Sequence, residues 1–70
     1  MNKKVFTMLV LVDERERMEK VLNTYRIGLN EWDKTKVFNI QGTELINYTI
    51  VCESNVFDSI VKTMNGTRVY

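Results

Sequence analysis

The chain has no histidine, no proline, one cysteine and three glycines among its 70 residues. Without histidine the commonest general base is missing, together with the Ser-His and Cys-His nucleophile pairs, so the composition argues against an enzyme. A lone thiol, Cys52, rules out an intramolecular disulfide, and one thiol without imidazoles leaves a structural zinc ion no ligand set. Gly28, Gly42 and Gly66 stand far apart, which excludes a glycine-rich phosphate loop. No charge of one sign dominates either. Ten basic and nine acidic side chains leave a net charge of +1, which removes the global attraction to nucleic acid or an anionic membrane. The longest apolar run, Met8 to Val12, is far shorter than the roughly 20 residues that cross a bilayer. Lys3 and Lys4 precede it, but Asp13 and Glu14 stand where a signal peptide would continue, so a soluble, cytoplasmic chain is expected.

What is present suffices for one small domain, residues 1–70. A core of this size buries only about 60% of the unfolded surface, so a partner chain is the expected aid to stability. Val5 to Val12 is β-branched-rich and apolar at both parities, the pattern of a central strand covered on both faces. Asp13 with Glu16 three residues on reads as a capping box opening a helix. Met18, Val21, Leu22 and Tyr25 form its apolar stripe, and Gly28 is the expected stop. Leu29 to Lys34 reads as a connection, Lys36 to Ile40 as a short edge strand, and Gln41-Gly42-Thr43 as a tight hairpin. Glu44 to Cys52 alternates as a second central strand. Ser54 or Asn55 caps a second helix with Phe57, Ile60, Val61 and Met64 on one stripe, ending at Gly66 before a short last strand, Thr67 to Tyr70.

The order β-α-β-β-α-β, with right-handed crossovers, predicts an α+β ferredoxin-like sandwich. Its four-stranded antiparallel sheet has the order 4-1-3-2, with both helices on one face. Two helices cover one sheet face only, so the second apolar face is expected to meet another subunit. The expected interface residues are Val5, Leu9, Leu11, Trp32 and Tyr48. For Trp32 the first reading is an anchor of its loop on the core, and the interface is the second. Arg26, Lys34, Lys36 and Arg68, with backbone donors at Gly42 and Thr43, form a candidate site for a small anionic ligand. Cys52 reads as core packing, and Asp13, Glu14, Glu16 and Glu19 as charge placed near a helix N-terminus rather than a metal site. The RNA-recognition fold shares the topology, but Phe6 and Tyr48 lack the accompanying basic and glycine pattern, so RNA is not the expected partner.

The opening Lys3 to Val12 strand, the helix Glu16 to Tyr25 before Ile27-Gly28, and the Gly42 to Leu45 hairpin together resemble the small ferredoxin-fold regulatory domains. So does the Phe57 to Val61 helix before Asn65-Gly66-Thr67-Arg68-Val69. The resemblance is to the ACT-like group, including iron-only hydrogenase system regulators, and to the PII-like group. It implies a homodimer or trimer, a small metabolite at a subunit cleft and a signal passed to a partner protein; separately, no cofactor is expected. The long partner loop of PII proteins is reduced here to the hairpin, and the ligand-loop glycine of amino-acid-binding ACT domains is missing after the first strand. Neither nucleotide sensing nor an amino-acid effector is therefore expected. The expected function is a non-enzymatic, homo-oligomeric regulatory or binding domain associating through its helix-free sheet face or edge. The alternative is a small interaction protein, such as a phage or mobile-element inhibitor or a complex subunit, using the same face for a foreign protein.

Overall fold

The computed structural model describes residues 2–64, the side chains of residues 36–38 apart. In chain order it contains β1 (Lys4–Leu11), a 3-10 turn (Val12–Glu14), α1 (Arg15–Thr24), β2 (Trp32–Ile40), β3 (Thr43–Cys52) and α2 (Ser54–Thr63). The three strands form an antiparallel sheet in the order β1-β3-β2, and both helices lie on one of its faces. This is a small α+β fold compatible with a ferredoxin-like arrangement. The expected strand over Thr67–Tyr70 and the helix stop at Gly66 lie outside the described residues.

Pairing of Met8 with Tyr48 and of Val10 with Ile46 places the even-numbered side chains of both central strands on the same side. There they meet Met18, Val21 and Leu22 of α1 and Ile60 of α2 in a single core. The 3.6-residue stripes and the two-residue alternation thus converge on one layer. Phe6 and Phe57 close the α2 side of this layer as a stacked pair, with ring centroids 4.4 Å apart. Hydrogen bonds also join the helices. Arg17 donates to the Thr63 carbonyl at 3.1 Å, satisfying an orphan acceptor at the C-terminus of α2, and the Tyr25 and Thr63 hydroxyls meet at 3.2 Å.

Several local expectations are corrected. No capping box forms at Asp13, because the chain leaves β1 through the 3-10 turn and α1 begins at Arg15 with no side-chain cap; Glu14 pairs instead with Arg17. Gly28 does not stop α1. Arg26 does, at φ 60°, with its amide bonded to the Asn23 carbonyl and the Ile27 amide to the Leu22 carbonyl. That pair of bonds is a Schellman motif, and buried Ile27 supplies its apolar contact. β2 begins at Trp32, not Lys36. A bulge between Lys34 and Val37 sets two residues against Asn47 and breaks the alternation, which is why its first half reads as a connection. The hairpin is a two-residue loop in which Gln41 (φ 53°) and Gly42 (φ 85°) both take left-handed values, a type I′ turn.

Candidate functional site: the helix-free sheet face

Because the even-numbered side chains of β1 and β3 face the helices, the odd-numbered ones form the opposite face, with no helix over it among the described residues. The register arranges this face in rows across the strands. Val5 pairs with Val51, Thr7 with Thr49, Leu9 with Asn47 and Leu11 with Leu45. From β2, Asp33 joins the Thr49 row and Ile40 pairs with Thr43 at the hairpin end. Val5 is 67% exposed and Ile40 50%, while Leu9, Leu11 and Val51 are half-buried. Leu45 is fully buried despite belonging to this face, and lies outside the helix-side core cluster. The face thus mixes exposed and half-buried apolar side chains with Thr7, Thr43, Asn47, Thr49 and Asp33.

Three of the five expected interface residues, Val5, Leu9 and Leu11, stand on this face. Tyr48 and Trp32 do not. Tyr48 has even parity, is 0% exposed and belongs to the helix-side core, so it cannot reach a partner laid on the open face. Trp32, paired with Ile50, packs on the same core with its ring 5.9 Å from that of Tyr48. Phe6 is on the helix side as well, so no aromatic of β1 or β3 offers a base-stacking platform on the open face. Sequence reasoning overlooked Val51, Ile40 and Asp33 as face residues. The signal for Val51 was present in the odd parity of β3 and became readable once β1 showed which parity faces the helices, whereas Asp33 and Ile40 of β2 share this face across a bulge that changes parity and that no local pattern marks.

The six residues expected to hold an anion do not assemble. Gly42 and Thr43 sit at the hairpin, beside Leu11, Val12, Asp13 and Glu44, lining a shallow cleft of about 290 Å³. Two carboxylates at this cleft repel an anion. Arg26 ends α1 at the far end of the sheet, near where the Glu31 carbonyl accepts the Val51 amide. Lys34 is occupied by Glu19 at 2.8 Å. The Lys36 side chain and Arg68 lie outside what the structure describes.

One polar cluster links sheet and helix. Glu19 of α1 accepts from Lys34 of β2 and, at 3.1 Å, from the Tyr48 hydroxyl of β3. The Lys34 hydrogen bond, then that of Tyr48, holds the Glu19 carboxyl below the ordinary carboxylate range. Burial first, then the adjacent Glu19 charge, pushes the Tyr48 phenol upward, so it stays protonated at physiological pH and is no acid or base there. A second ion pair joins Lys3 to Glu31, whose carboxyl also accepts the Gly28 amide. Cys52 is 3% exposed, and its thiol is pushed up chiefly by burial, the opposite of what a reactive cysteine needs. Among the described residues no group of three or more potential ligands could hold a metal, and no helix is long and apolar enough to cross a membrane. Compared with family models, curated proteins and solved structures, the chain matches none.

Proposed function

We propose that this chain is a non-enzymatic, homo-oligomeric binding or regulatory domain that associates through its helix-free sheet face. The observation that carries this reading is the apolar content of that face, where Val5 and Ile40 lie open and Leu9, Leu11 and Val51 are half-buried. Burying such side chains contributes about 25 cal/mol per Å² of apolar surface, a gain the isolated domain leaves unused. The non-enzymatic part rests on the missing histidine, the buried thiol of Cys52 and the raised phenol of Tyr48. A regulatory role also follows the likeness of the topology to ACT-like and PII-like domains. An anionic ligand held jointly by Arg26, Lys34, Lys36, Gly42, Thr43 and Arg68 is no part of this function.

The test is the mass of the purified protein across a dilution series, by light scattering after size exclusion. A dimer or trimer that dissociates on dilution is the expected result. A chain that stays monomeric at every concentration, and recovers one stoichiometric foreign protein, would move the face to hetero-association and overturn self-assembly.

A further inference from the structure

The rows of the open face have a symmetry that selects the partner, a selection that rests on the proposed association through this face. β3 is the middle of the three described strands, so each row extends from it to β1 on one side and β2 on the other. The second row reads Thr7–Thr49–Asp33. Beyond it on either side lie an apolar pair, Val5–Val51, and the Leu9 and Leu11 rows. A two-fold axis running along β3 lays every row on its own copy with the order reversed. The β3 residues Val51, Thr49 and Asn47 then meet their own copies, each β1 residue faces a β2 position of the partner, and the strands of the two sheets stay aligned, as packed sheets prefer. In the second row the reversal sets a hydroxyl opposite a carboxylate, twice. Asp33 is the only charged side chain on this face among the described side chains of the three strands, so its counterpart decides the fit. An axis across the strands through the second row would instead set the two Asp33 carboxylates against each other.

We infer that the partner is a second copy of this chain, packed face to face about a two-fold axis along β3, with Thr7 donating a hydrogen bond to the partner's Asp33. The area agrees with a reversible contact. Eight paired positions of β1 at about 3.3 Å each, across three strands about 4.8 Å apart, give a face on the order of 400 Å² per copy. Stable interfaces bury about 800 Å² per partner, so a face of this size supports only a weak dimer that dissociates on dilution.

Sedimentation equilibrium on charge-swapped variants tests the axis. Thr7→Asp sets two carboxylates against each other at both symmetry-related contacts and weakens the dimer by about tenfold or more. Adding Asp33→Lys restores it to within about threefold, because opposite charges again face each other between copies. Within one chain the two positions are separated by β3, and circular dichroism of each variant checks the fold. Thr7→Lys alone tightens the dimer and makes it salt-sensitive. If the double variant stays as weak as Thr7→Asp, or Thr7→Lys fails to tighten a dimer that Val5→Asp still weakens, this axis is wrong and the association reading stands. If the wild type is monomeric throughout and Val5→Asp changes nothing, both fall together.

Discussion

At the scale of the residue, Arg26 shows a side chain placed where glycine is usual. The C′ position of a Schellman motif needs a left-handed backbone, which costs a residue with a Cβ atom but not glycine. Arg26 adopts φ 60° there, and none of its side-chain hydrogen bonds or ion pairs offsets the strain among those the structure describes. Arg26→Gly is expected to raise stability by about 0.5–1 kcal/mol, read as a higher urea midpoint with an unchanged slope. A drop in the midpoint would mean that the arginine makes a favourable contact of its own. Gly28, by contrast, has no left-handed φ, but a Cβ there would approach the Asn30 Oδ1 atom to 3.0 Å. The sequence points to a glycine stop, and the chain makes the turn two residues earlier because Ile27 must reach the core.

At the scale of the element, Glu19 decides how the edge strand sits. β2 is bulged, and its polar tie to α1 among the described residues is the Lys34–Glu19 pair, shared with Tyr48. Lys34 from β2, Tyr48 from β3 and Arg15 from α1 all act on the Glu19 carboxyl, and the net effect lowers it. A carboxyl lowered in the folded state contributes stability above its ordinary value of 4.5, and that contribution is lost as pH falls through its folded value. The Glu31 carboxyl, lowered chiefly by Lys3, acts in the same direction. Stability should therefore fall between about pH 6 and pH 3 in the wild type, and fall less in Glu19→Gln. Equal pH slopes for the two proteins would show that the cluster is too solvated to matter. Lys34 was expected to face a ligand; its partner proved to be a glutamate fifteen residues earlier in the chain, which no local pattern reveals.

At the scale of the whole molecule, the core is one layer thick between the sheet and two ten-residue helices. A domain of this size is marginal alone, so the proposed association would be linked to folding by mass action. The thermal midpoint should accordingly rise with protein concentration, by a few degrees over about a hundredfold, in calorimetry or circular dichroism. The same scan on Val5→Asp should be flat, since a side chain 67% exposed in the single chain contributes little to the fold itself. A wild-type midpoint independent of concentration would remove the link between the open face and stability.

The sequence by itself determined the kinds and order of the described strands and α-helices, and the buried stripe of α1. Periodicity and composition are local properties, and each element carries its own copy of them. Met18, Val21 and Leu22 are buried because their spacing matches a helical turn, whatever they pack against. The tertiary structure alone decided which parity of β1 faces the helices, since that strand is apolar at both. It also decided that Tyr48 and Trp32 belong to the core, that the expected anion ligands stand apart, and that Asp33 shares a row with Thr7. Each of these depends on register between strands distant in sequence, where a bulge of one residue or a change of parity moves a side chain to the other face.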